Sequence, residues 1–256
     1  METRSKTIVL SSHHKKRKND TATSFTCHLD GSLDVNDVSR IVIKSFHCTH
    51  LFTNITANNN ELHFVVGGIT HIATVPVGQY GVTSFIAALT VAINATGATT
   101  VTSIVQDPAT FQLTLTTADA VTYLSQHDVN DITKKVSSLN TIIGCDSFDN
   151  ATGTVVTLSG ILNLTGPKSI HVHSNTLAAG HAYDSQGNSH SLVCIIPITV
   201  AFGQSLNWYS SSHLLSFVDC YDADLGTIDI SLRDEHDDVL SLPPNLGTTI
   251  EVMCVY

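Results

Sequence analysis

The sequence predicts an all-β protein with minor α, an eight-stranded antiparallel jelly-roll sandwich carrying a small β-β-α-β-β insertion. Three observations lead there. Period-two alternation of apolar and polar residues recurs toward both ends of the chain, the pattern of strands with one buried face. Turn-forming residues punctuate these segments at 58–60, 67–68, 107–108, 234–238 and 243–244. Helical periodicity is confined to the middle, so the two β-rich ends are expected to fold together around an inserted central segment.

The elements follow in chain order. Residues 1–20 read as a basic arm, with Lys15, Lys16, Arg17 and Lys18 in one run beside His13 and His14. Residues 1–18 carry +5 while the whole chain has a formal net charge of -10. Such a run binds nucleic acid, contacts an acidic neighbour, serves as a localisation address or sits solvated at a terminus. The sandwich is assigned to 21–57 plus 146–256. In its first part Ile41 and Ile43 alternate with Val42 and Lys44. The inserted α/β subdomain is assigned to 58–145. There, Thr83 or Ser84 is placed to cap a helix that lines up Phe85, Leu89 and Ile93, and Gly97 closes it. Phe111, Leu113 and Leu115 then alternate with Gln112, Thr114 and Thr116. A second helix is expected near 130–143, bringing Ile132, Val136, Leu139 and Ile143 to one side before Gly144 ends it. In the returning part of the sandwich, Ile228, Ile230 and Leu232, then Ile250, Val252 and Cys254, occupy alternate positions.

Composition narrows the function. Charged residues are 13% of the chain, low for a surface that must keep monomers apart in water, and this predicts surface that is covered by neighbours. No run reaches the ~18–20 apolar residues of a membrane span, and TIVL is too short for a signal peptide; synthesis in the cytoplasm or nucleus is the expectation. The six cysteines, Cys27, Cys48, Cys145, Cys194, Cys220 and Cys254, form no C-x-x-C pair and read as reduced, mostly buried thiols. No G-x-S-x-G, phosphate loop or H-E-x-x-H occurs, so no enzyme activity and no cofactor are expected. The sharpest metal candidate is His171-Val-His173, two side chains on one strand face, without the carboxylate a cupin motif requires. It reads as a packed pair. The acidic cluster at 234–238, with Asp219, Asp222 and Asp224, reads as a solvated hairpin turn before it reads as a calcium loop.

Several blocks resemble one family. The opening TIVLSSHHKKRKNDTATSFTCHLDGSLDVNDVSRIVIKSF resembles the start of the single jelly-roll penton (vertex) capsid proteins of virophages, Polinton-like viruses and related DNA viruses. Asn54-Ile-Thr-Ala-Asn-Asn-Asn60, the strand at 62–66, Val75-Pro-Val-Gly-Gln-Tyr80 and the helix after it are similar to the family's N-I-x-x-x-N-N followed by P-x-G-x-Y. The stretches 139–144, SIHVHSNTL at 169–177, IPITVAFG at 196–203 and the last hairpin resemble further family blocks. The resemblance implies a structural virion protein, a homopentamer at the vertex of an icosahedral capsid. It also implies double jelly-roll major capsid proteins as neighbours, and Lys15 to Lys18 turned toward packaged DNA or an acidic partner. Left open beside it are a minor capsid protein next to the vertex and a fibre-type receptor- or glycan-binding sandwich, whose recognition would fall to loops 146–153 or 180–190.

Overall fold

A computed structural model describes residues 5–14, 20–29, 38–133, 138–145, 148–177, 182–183, 189–210, 218–219, 226–243 and 245–256. The chain runs β1 (Ser5–Ser11), β2 (Ser24–His28), β3 (Arg40–Thr49), β4 (Glu61–Val66), β5 (Ile69–Thr74), α1 (Val82–Ala95), β6 (Val101–Gln106) and β7 (Gln112–Tyr123). It continues α2 (Gln126–Thr133), α3 (Leu139–Ile143), β8 (Ala151–Ile161), β9 (Ser169–His173) and the short pair β10 (Ala182–Tyr183) and β11 (Ser189–His190). It ends β12 (Leu192–Pro197), β13 (Ser205–Tyr209), β14 (Val218–Asp219), β15 (Thr227–Arg233) and β16 (Thr249–Val255). Two compact units result, 1–52 with 167–256 and 53–166.

The first unit is the sandwich. One sheet is ordered β1-β16-β3-β13, with β14 also on β3, and the other is ordered β12-β9-β15-β2. Every pairing is antiparallel. Taking the longer strands in chain order, the first sheet holds first, eighth, third and sixth, and the second holds fifth, fourth, seventh and second. That interleaving is the jelly roll. Its core is built by the alternation read from the sequence: Ile228, Ile230 and Leu232 on β15 and Ile250, Val252 and Cys254 on β16 are all buried, with Phe25, Phe46, Ile170 and Val172. Full burial of such a side chain is worth about 1.5–3 kcal/mol.

Two boundaries differ from expectation. The sandwich begins at Ser5, not at 21, because Ile8 and Leu10 are buried and β1 zips along β16 from Ser5↔Val255 to Ser11↔Thr249. The basic run Lys15 to Lys18 therefore lies in the connection from β1 to β2, and it falls outside the described residues. Strand β8 pairs with β7, which draws 151–161 into the second unit. Within β3, Ile41 and Ile43 enter the core as the alternation predicts and Val42 is buried outside it, while the register on β16 skips Lys44, a bulge that shifts the period so that Phe46 faces the core.

The second unit has its own sheet, β5-β4-β7-β6 with β8 on β7, and its own core including Phe64, Phe85, Leu89, Ile93, Leu113, Leu115 and Leu158. Helix α1 buries Phe85, Leu89 and Ile93 as expected and starts at Gly81, whose N–H donates to Ser84 Oγ at 3.1 Å. The single helix expected over 130–143 is instead two. Ser138 is extended (φ -148, ψ 168) and opens α3 afresh, and Ile132 is 59% exposed. Phe111 lies outside the strand at φ 60, in the β6–β7 turn, where its N–H donates to the Asp107 carbonyl at 2.8 Å.

Candidate functional site

Two structural clamps coincide with the family-like blocks. The first sits where the chain opens and closes the second unit. Asn54 is 3% exposed; its Nδ2 donates to the carbonyls of Tyr80 (2.8 Å) and Leu164 (2.9 Å), and its Oδ1 accepts from the Tyr80 N–H at 2.9 Å. Its own N–H donates to Gln79 Oε1 (3.1 Å), and its carbonyl accepts from Asn59 Nδ2 (3.3 Å). Ile55 and Gly78 form an antiparallel bridge, and Asn60 Nδ2 donates to the Val75 carbonyl at 3.1 Å. Thus 54–60 and 75–80 are one hydrogen-bonded neck. Gly166 (φ +69) closes it in left-handed backbone, and a Cβ there would lie in ordinary contact with Asn54 Cα at 3.4 Å.

The second clamp holds the loop after β9. Asp229 Oδ1 accepts from the Thr176 N–H (2.9 Å) and Oγ1 (2.7 Å), and its Oδ2 accepts from the Asn175 N–H (3.1 Å) and Nδ2 (3.0 Å). Burial works against the charge, but these hydrogen bonds outweigh it and hold the carboxyl below its ordinary value. The S-N-T of SIHVHSNTL is therefore a carboxylate-bound turn. A third tie falls inside the block 139–144, at a residue the sequence pattern did not single out. Asn140, fully buried on α3, accepts from the His63 N–H (2.9 Å) and donates to the carbonyls of His63 (2.8 Å) and Leu124 (2.9 Å), continuing the ladder where β4 outruns β7.

The histidine pair lies on the outward side of β9, since Ile170 and Val172 are fully buried. The rings of His171 and His173 stack with centroids 6.4 Å apart. His173 Nε2 is 3.7 Å from Asp237 Oδ1, while Arg233 Nη1 pairs with Asp237 Oδ2 at 2.9 Å. Arg233 stands across the ladder from His171. A guanidinium beside the imidazoles repels a cation, and among the described residues no group of three or more metal-ligating side chains converges. The acidic cluster is a self-satisfied turn: Asp234 Oδ1 accepts from the N–H groups of His236 (2.9 Å) and Asp238 (3.0 Å), and burial pushes its carboxyl pKa up. Asp219 is in β14; Asp222 and Asp224 lie outside the described residues.

Cys27, Cys48, Cys145, Cys194 and Cys254 are thiols outside any disulfide, and Cys27 Sγ donates to the Ser11 carbonyl at 3.8 Å. Burial pushes Cys48, Cys145 and Cys194 up to about 12 and Cys254 to about 11, so all four stay protonated, small apolar fillers rather than nucleophiles. Of the loops with a recognition expectation, 148–150 carries Phe148, 76% exposed, with its ring 6.1 Å from that of His127. Most of 180–190 lies outside the described residues. No helix among the described residues is long and apolar enough to cross a membrane.

Strand order and the unit inserted between the third and fourth sandwich strands define a single jelly-roll protein with a large insertion. In its fold the chain is similar to the mavirus penton protein, whose crystal structure it matches over 99% of both chains with a TM-score of 0.50 and 9% sequence identity. No protein-family model matches the sequence, and no curated protein is similar to it.

Proposed function

We propose that this protein is a structural capsid component that forms the pentameric vertex of an icosahedral DNA virus and resides in the virion. The observation that carries the reading is the end-to-end match in fold to a penton protein, in which the inserted unit is covered as well as the sandwich. The chemistry of the chain agrees. A jelly roll offers flanks that close into a ring of identical copies, and this role asks no side chain to react. With charged residues at 13%, large neighbour contacts form without burying many ions. Major capsid proteins of the double jelly-roll type are the proposed neighbours, and Lys15 to Lys18 the proposed contact to packaged DNA or an acidic partner.

Negative-stain images of the purified chain, with light scattering for mass, test this. Fivefold rings are expected. Trimers would overturn the vertex reading and point to a fibre-type binder.

A further inference from the structure

The second unit leaves one face of β6, β7 and β8 exposed. On β7 and β8, Leu113, Leu115, Val156 and Leu158 are buried, so the residues between them face the opposite way. Register with β6 sets these into two cross-strand rows, Val105–Thr114–Thr157 and Ser103–Thr116–Val155. Thr114 and Thr157 join hydroxyls at 2.9 Å. Val105 is 57% exposed, Val155 62%, and Ile161 at the end of β8 59%. Not one residue of the two rows is charged. On the β6–β7 hairpin the acids stand at its ends, Asp107 in its turn and Asp119 in the exposed stretch where β7 loses register with β8. Surfaces built for water are about 25–35% charged, whereas an uncharged centre with a polar rim is the anatomy of an interface.

We propose that this face is where the inserted unit meets a second copy of the same chain. Charge selects that occupant. Copies with a net charge of -10 repel one another wherever acidic surfaces approach, and a face free of ions lets them touch without that repulsion and without stripping water from a charge. The same rows offer no cation to a nucleic acid or an anionic membrane. The inference rests on the reading of the chain as an assembling shell protein, and its test separates the two.

Val155→Glu in the full chain places an acid at the middle of the face, and Thr157→Lys supplies a second variant should the first not fold. Val91→Glu, on the exposed side of α1 where the native residue is 68% exposed, is the control. Mass photometry across a dilution series is expected to show self-association weakened at least tenfold in both face variants and unchanged in the control. Face variants that assemble like the parent overturn the contact while their rings leave the vertex reading intact. A parent that stays monomeric at every concentration overturns both. Unchanged assembly with lost attachment to cells assigns the face to an outside receptor and overturns the contact too.

Discussion

Asn54 carries more of the second unit than its size suggests. Removing its side chain leaves the Tyr80 N–H and two carbonyls in a nearly dry neck without their partner, and each buried unsatisfied group costs about 1–3 kcal/mol. Asn54→Ala is therefore expected to lower stability by about 2–4 kcal/mol, read by urea denaturation followed at the tyrosines. Asp229 acts by charge as well as geometry. Its folded pKa lies below the unfolded value, so its contribution is complete above about pH 4 and drains away as acid takes the pH through the folded pKa. Asp229→Asn is expected to destabilise the protein at pH 7 and to flatten the acid limb of the stability curve, checked by thermal melts from pH 2.5 to 7.

Among the elements, α3 and β8 are held at a close approach of two glycines. The Gly160 N–H donates to the Gly144 carbonyl at 2.8 Å, and a Cβ on Gly144 (φ +90) would fall on the Gly160 carbonyl oxygen. Gly144→Ala combines that clash with left-handed backbone and is expected to cost at least about 2 kcal/mol, with hydrogen exchange speeding first at 139–143. This region also marks how far the sequence could be read. Strands whose pattern is local, such as β15 and β16, were legible because period-two burial is written in the strand itself. The fate of β8 depends on β7, some forty residues upstream in the chain, and no local pattern records a distant partner. The helix expected over 130–143 failed where Ser138 adopts extended backbone, and Phe111 because Asp107 folds the turn back on itself. Of the clamps, Asn54 and Asn140 both stood inside recognisable blocks, but nothing marked Asn140 as a tie, since a buried amide that mimics a strand looks like any helical polar residue.

At the scale of the molecule, two separate cores predict separate responses. Leu232→Ala in the sandwich and Phe64→Ala in the inserted unit should each cost about 2–5 kcal/mol, and calorimetry is expected to show each lowering a different transition. The thiols of Cys48, Cys145, Cys194 and Cys254 hold their protons beyond their ordinary range. Their contribution is intact below about pH 8.5 and is lost as the pH rises toward 11–12, because the unfolded chain ionises first. Alkylation of the native protein at pH 8 should accordingly be slow until denaturant is added. The neck at Asn54 and Gly166 reaches further than stability. A polypeptide that departs and rejoins at touching residues makes everything from 53 to 166 an exchangeable cassette. A foreign module with adjacent ends spliced there would leave the eight sandwich strands their full complement of partners.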